Sequence, residues 1–342
     1  MTADELYMQR ALELAALGTG QVSPNPLVGC VIVKDGKIIG EGWHKKYGEA
    51  HAEVNAINSV YDKEQLHGST LYVTLEPCAH HGKTPPCADL IVKYKFERVV
   101  VSTADPNPLV AGKGIKKIRE AGIIVEEGLL NEQGRELNIR FFTFMEKKRP
   151  YIILKWAQTA DGFIATEDYQ SKWISNEISR ILVHKWRAEE DGVMVGANTA
   201  FYDNPQLNVR EWAGQNPVRI VIDRGLRLSK ELHLFDGTQP TLCYNQVMEG
   251  EEGMVTYIKI TNLPSVVADL YDRKIQSVLI EGGAILLNKA IGFGLWDEAR
   301  IVTGNKIFGT GFKAPELPKG ASYKRHSIRD DEWLIVKNNS NK

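Results

Sequence analysis

In the opening stretch MTADELYMQRALELAALG, polar and apolar positions alternate as they do on a helix with one buried face. Thr2 and Glu5 stand at the separation of a capping box, so a helix is expected over residues 4–17. The pattern then changes to short apolar runs. GCVIVKDGKIIGEG reads as a hairpin turning at Asp35–Gly36, followed by strands in STLYVTLEP, RVVVSTADP and IIVEEG. Helical patterns over residues 50–60, 87–93, 113–121 and 131–146 separate them. This alternation predicts a central sheet with helices on both faces.

At EKKRP, residues 146–150, a solvated basic run meets a proline that cannot continue the preceding helix, which marks a domain boundary. Beyond it, strands are expected in YIILKWAQ, GVMVGAN, VRIVID, TLCYN, YIKI, SVLIEGG, EARIVTG and EWLIVKN. Helices fit residues 176–188, 264–272 and 284–291. The pattern thus gives two α/β domains, residues 1–146 and 150–338. There is no internal repeat, and the only low-complexity tract is the polar C-terminal tail.

Charge narrows the function classes. The 342 residues carry a formal net charge of -1. The region up to Lys147 has 17 basic and 19 acidic residues, and the remainder has 25 and 24. No half is basic enough to draw in nucleic acid or an anionic membrane. No apolar run is long enough to span a bilayer, and the acids at the N-terminus do not suit a signal peptide. Four cysteines (Cys30, Cys78, Cys87 and Cys243) are too few for a disulfide framework, which implies a reducing, cytoplasmic setting.

Two of those cysteines lie in EPCAHHGKTPPC, residues 76–87. Upstream, AHAEVNAI places His51 and Glu53 at the start of a helix, where both can border one pocket. His-x-Glu followed by Pro-Cys and a second cysteine is the pattern of zinc nucleobase deaminases. In that reading His51, Cys78 and Cys87 bind zinc and a fourth position holds water, as catalytic sites require. Zinc lowers the pKa of such a water, and Glu53 then carries protons to the ring nitrogen and the departing amine. The spacing departs from the usual Cys-x-x-Cys, because eight residues separate Cys78 from Cys87. A structural zinc completed by His80, His81 or Cys30 is one alternative, but it leaves Glu53 without a role. A Cys78–Cys87 disulfide is another, disfavoured by the compartment.

The set SPNPLVGCVIV, HAE, EPCAHHGKTPPC and STADPNP resembles the deaminase domain of the bifunctional deaminase–reductase family of riboflavin biosynthesis, through residues 1–145. The resemblance implies a three-layer α/β/α cytidine-deaminase-like fold. It also implies a substrate, 2,5-diamino-6-ribosylamino-4(3H)-pyrimidinone 5′-phosphate, deaminated at C2. By the same resemblance Asn25, His44, Lys83, Asp105 and Asn107 border the substrate. Read alone, the two proline-flanked loops holding Asn25, Asp105 and Asn107 are better explained as turns.

In the second half no Gly-x-Gly-x-x-Gly follows a strand, which excludes a classical dinucleotide fold. SVLIEGGAILLNKAI offers instead a buried strand, two glycines and a helix start suited to phosphate. Together with LKWAQTADGFIA, QSKWIS and VGANTAFYDNPQLNVR, it resembles the reductase domain of the same family over residues 149–312. That implies a dihydrofolate-reductase-like α/β fold, NADPH as cofactor and hydride delivery to C1′ of the ring-opened ribosylamino group. Carried over by residue, Lys155, Ser171, Arg187, Asp203, Leu207, Arg210 and Glu281 face the sugar phosphate. Ala157, Trp173, Thr199, Asp203 and the run Gly283, Ala284, Ile285, Leu286 face NADPH. Lys155, Asp203 and Glu281 are the candidates for handling protons. Taken singly, Trp173 also fits core burial, Asp203 a turn, and each arginine a surface ion pair.

The family assembles as dimers or tetramers, so the resemblance also implies a homo-oligomer, acting on small molecules without nucleic acid or membrane. Other readings stay open at this point. One is a deaminase of another nucleobase or of tRNA with a non-catalytic C-terminal domain, which would need a basic groove and stacking aromatics. Another is a non-enzymatic protein with a structural zinc, which would unfold without metal and show no turnover.

Overall fold

The computed structural model describes residues 1–79, 85–107, 111–169, 174–260, 262–318 and 322–339. The chain divides into two compact units, Met1–Lys147 and Lys148–Lys342.

The first unit holds strands β1 (Gly29–Lys34), β2 (Lys37–Trp43), β3 (Thr70–Leu75), β4 (Arg98–Thr103) and β5 (Ile124–Glu127). Its helices are α1 (Ala3–Ala16), α2 (Ala52–Ser59), α3 (Cys87–Lys93), α4 (Lys113–Glu120), α5 (Asn131–Leu137) and α6 (Ile139–Lys147). The sheet order is β2-β1-β3-β4-β5, antiparallel across β1 and parallel from β3 to β5. Both faces of β3 and β4 are covered, which is why these strands are continuous apolar runs. One face packs Ala56, Ile57, Ile91 and Ile118 from α2, α3 and α4. The other packs Met8, Ala11 and Leu14 from α1. The capping box starts α1: Thr2 N donates to Glu5 Oε2 at 2.7 Å, and Glu5 N donates to Thr2 Oγ1 at 3.2 Å.

The helix expected over residues 131–146 is divided at Asn138. The Asn138 side chain is turned onto the loop before β1. Its Oδ1 accepts from Leu27 N at 2.8 Å and its Nδ2 donates to Leu27 O at 2.9 Å. The helical backbone bonds Asn138 N to Gly134 O and Phe142 N to Asn138 O are kept through this turn, at 3.2 and 3.0 Å.

The second unit holds β6 (Tyr151–Gln158), β7 (Phe163–Ala165), β8 (Gly192–Gly196), β9 (Val218–Ile222), β10 (Thr241–Asn245) and β11 (Gly250–Glu252). It continues with β12 (Val255–Lys259), β13 (Ser277–Glu281), β14 (Glu298–Thr303), β15 (Phe312–Lys313), β16 (Ser322–Ile328) and β17 (Asp331–Lys337). Its helices are α7 (Glu177–Glu189), α8 (Ala197–Asp203), α9 (Leu263–Asp272) and α10 (Ala284–Gly292). One sheet runs β11-β12-β10-β9-β8-β13-β6-β14-β17-β16, and β7 with β15 form a separate ribbon. The strands from β12 through β14 are parallel; β11, β17 and β16 add antiparallel edges. The polar pattern had not singled out α8, β7, β11, β15 or β16. Three of these elements are three residues or fewer, and none of the residues of β16 is buried, so apolar periodicity leaves no mark on them.

Candidate active sites

In the first unit the metal-ligand candidates converge. His51 is the N-cap of α2, Cys78 follows β3 and Cys87 opens α3. His51 Nδ1 lies 3.3 Å from Cys87 Sγ and 3.6 Å from Cys78 Sγ. All three donor atoms fall within 4.8 Å of one another. With zinc–nitrogen and zinc–sulfur bonds of about 2.0 and 2.3 Å, a tetrahedral ion sets its ligands roughly 3.6 Å apart. The donor set therefore fits zinc in both chemistry and spacing. All four cysteines are free thiols, and Cys30 is enclosed in β1 outside the converging set. Hydrogen bonds from the Cys87 thiol, after them from His51, hold the Cys78 thiol well below its ordinary range and favour a thiolate ligand.

Glu53, in the first turn of α2, is 3% exposed, and burial followed by the Cys78 charge raises its carboxyl to about 7. His44 is also buried and lies edge-on to His51, with ring centroids 5.6 Å apart. Its Nδ1 donates to Ala50 O at 3.1 Å, so its Nε2 accepts from Asn25 Nδ2 at 3.1 Å. Asn25 is thus joined to the metal-ligand set through one ring. Asp105 is nearly buried and accepts from Asn107 N at 2.8 Å, an Asx turn that shapes the loop after β4. Lys83, His80 and His81 lie outside the described residues.

A buried carboxylate that motif reading passed over is Glu76, at 4% exposure. It accepts backbone hydrogen bonds from Asp105, Gly112, Gly114 and Ile115. Its only sequence signal is its place in the quoted Glu-Pro-Cys.

In the second unit the strand ends open on a cavity of about 630 Å³. Lys155, Arg187, Asp203 and Glu281 line it, together with Ala157, Thr199, Leu207 and the turn from Gly283 to Leu286. Arg187 Nε and Nη2 grip Glu281 bidentately at 2.5 and 2.8 Å, and Lys155 Nζ stands 3.9 Å from the same carboxylate. Burial pulls the Lys155 ammonium below its usual range against the opposing pull of Glu281. Burial works against ionised Glu281 as well, but Arg187 and Lys155 outweigh it and hold its carboxyl low. Gly283, with φ 73°, brings its backbone so close to Thr199 that a Cβ there would stand 3.0 Å from Oγ1.

Arg210 is placed differently. It is half-exposed outside the cavity lining, 3.6 Å from Glu211 and 3.2 Å from Asn208 Oδ1. Ser171 and Trp173 lie outside the described residues. The sequence reading missed an aromatic wall: Tyr169 stacks on Tyr202 with centroids 4.2 Å apart and leans on Phe312 at 4.5 Å, and all three line the cavity. Tyr202 sits inside a quoted motif, but Phe312 belongs to a two-residue strand with no pattern to betray it.

The profile of the cytidine and deoxycytidylate deaminase zinc-binding region matches residues 1–103, and that of the RibD C-terminal domain matches residues 150–337. The riboflavin biosynthesis protein RibD of Aquifex aeolicus is 43% identical over 323 residues, spanning 92% of this chain and 90% of the relative. The chain belongs to the bifunctional deaminase–reductase family of riboflavin biosynthesis. The RibD of Bacillus amyloliquefaciens is 42% identical over 340 residues, spanning 96% of this chain and 90% of its own. A diaminohydroxyphosphoribosylaminopyrimidine deaminase/5-amino-6-(5-phosphoribosylamino)uracil reductase from Thermotoga maritima has a crystal structure matching at TM-score 0.91. It is 39% identical, with 98% of each chain covered.

As a member of this deaminase–reductase family, the chain joins a zinc-dependent deaminase to an NADPH-dependent reductase. The first unit is the cytidine-deaminase-like α/β/α domain and the second the dihydrofolate-reductase-like domain. A non-catalytic C-terminal half and a non-enzymatic zinc protein are thereby set aside. No described helix is long and apolar enough to cross a membrane.

Proposed function

We propose that the first unit removes the C2 amino group of 2,5-diamino-6-ribosylamino-4(3H)-pyrimidinone 5′-phosphate, and that the second then reduces the ribosyl group to ribityl with NADPH. The observation that carries this reading is the convergence of His51, Cys78 and Cys87 beside a buried carboxylate outside that donor set, Glu53. His51, Cys78 and Cys87 hold the zinc, which when bound supplies Lewis acidity toward the attacking water. Glu53 accepts a proton from the attacking water and delivers it to the ring nitrogen; it then accepts a second proton, from the hydroxyl newly added at C2, and delivers that one to the leaving amine. Burial suits it to the double task, since a carboxyl near neutrality both takes and gives protons. Asn25, His44, Lys83, Asp105 and Asn107 hold the pyrimidine.

In the reductase, Lys155, Asp203 and Glu281 manage the proton that accompanies hydride transfer to C1′. Ser171, Arg187 and Leu207 face the sugar phosphate; Ala157, Trp173, Thr199, Asp203 and the Gly283–Leu286 turn face NADPH. The hydride belongs to the cofactor, and the protein supplies position and charge. The family relation supports a homo-oligomer, and the free thiols fit a cytoplasmic setting.

The test is Glu53→Gln, assayed for ammonia release, zinc content and NADPH oxidation together. Ammonia release should fall by roughly two to four orders of magnitude. Zinc should stay bound, and reduction of separately supplied deaminated pyrimidine should continue. Ammonia release at the parent rate would overturn the assignment of Glu53.

A further inference from the structure

Glu76 stands two residues ahead of Cys78, yet its carboxylate is outside the converging donor set. Its oxygens are directed at backbone. Oε1 accepts from Gly114 N at 3.0 Å and from Ile115 N at 3.4 Å. Oε2 accepts from Gly112 N at 2.9 Å and from Asp105 N at 3.4 Å. No ion pair to Glu76 is present among the described residues. Its charge is met by backbone amides alone, three of them at or next to the start of α4, where the helix end favours an anion. Beside it the chain is packed tightly: a Cβ on Gly114 would come 1.8 Å from Pro77 O. The turn that bears Cys78 and the start of α4 are therefore held face to face.

The four amides lie on both sides of Asn107. Asp105 is bound on one side, and Gly112, Gly114 and Ile115 on the other. Between them, Ala111 N donates to Asn107 O at 2.9 Å. We propose that Glu76 is a positioning residue of the deaminase, which fixes Asp105 and Asn107 relative to the zinc ligands by clamping both flanks of their loop to the Cys78 turn. The proposal rests on the reading above that Asp105 and Asn107 border the pyrimidine. Only a buried carboxylate does this job here. It presents several acceptor sites and no donor, whereas glutamine would turn an NH₂ toward an amide N–H.

The experiment compares full-length Glu76→Gln with Asn107→Ala, both zinc-loaded, using the diaminopyrimidine ribosyl phosphate as substrate. Each variant is measured for KM and kcat of ammonia release, zinc stoichiometry, and amide exchange at Gly112 and Gly114. Losing charge-assisted hydrogen bonds at this loop should raise KM by roughly tenfold or more in Glu76→Gln. Zinc stoichiometry should be unchanged, kcat should move much less than KM, and exchange at the two glycines should speed up. A raised KM in Asn107→Ala with a parent-like KM in Glu76→Gln overturns the proposal and leaves the substrate assignment standing. Parent-like KM in both variants overturns both. Loss of zinc in step with kcat, at constant KM, overturns the proposal by making Glu76 a support of the metal turn only. If Glu76→Gln does not fold, Glu76→Asp takes its place; it keeps the charge but falls one methylene short, and the same outcomes apply.

Discussion

Arg187 illustrates what the residue scale adds to motif reading. Its Nε–Nη2 edge is engaged by Glu281, its Nη1 donates to Asn208 O at 3.2 Å, and Lys155 Nζ stands 3.9 Å from the same Glu281 carboxylate. The three form one charge set, and their partners lie 94 residues apart in the case of Arg187 and Glu281, a distance no local pattern bridges. A pH effect follows. Lys155 faces Glu281, Asp203 and Arg187. The two carboxylates favour its ammonium form, while burial and Arg187 oppose it. Removing one carboxylate in Glu281→Gln lets the opposing influences prevail, so Lys155 should lose its proton at a lower pH than in the parent. If protonated Lys155 serves reduction, the alkaline limb of the kcat/KM profile for NADPH oxidation shifts to lower pH in the variant. A limb that stays in place, or moves upward, would exclude Lys155 from that step. The convergence of His51, Cys78 and Cys87, by contrast, is marked by a motif in the sequence, because metal chemistry restricts both residue type and order.

Helices and strands with a buried face were legible for a physical reason: burial imposes a period that can be counted. The elements that escaped lack it. β16 has no buried residue, β15 has two residues, and the turn between α5 and α6 sits at Asn138, whose side chain is tied to a residue 111 positions away. That tie can be tested. In Asn138→Ala, Leu27 keeps its N–H and C=O in a partly buried place with neither partner. Leaving such groups unsatisfied costs about 1–3 kcal/mol each, less where water can enter. The variant should lower the denaturant midpoint of the first unit, followed by zinc release. The loop that carries Asn25 is the same one, so the KM for the pyrimidine should rise too. A midpoint unchanged within error would mean that the tie to Leu27 is dispensable.

At the scale of the whole molecule, the converging metal-ligand candidates lie within Met1–Lys147 and the residues lining the 630 Å³ cavity within Lys148–Lys342. Chelation should therefore separate the two chemistries. Incubation with a strong zinc chelator should abolish ammonia release, while oxidation of NADPH with pre-formed deaminated pyrimidine should retain most of its rate. Parallel loss of both activities would show that the reductase depends on the metal-bound half. The proline-terminated basic run of residues 146–150 lies at this division.

The strand pairings carry a consequence of their own. β1 to β5 pair only among themselves, and so do β6 to β17, with the division between Lys147 and Lys148. Cutting the gene at that codon would sever no strand ladder among the described residues. A fusion or fission event there in the ancestry of such enzymes would thus have left each half its own intact framework.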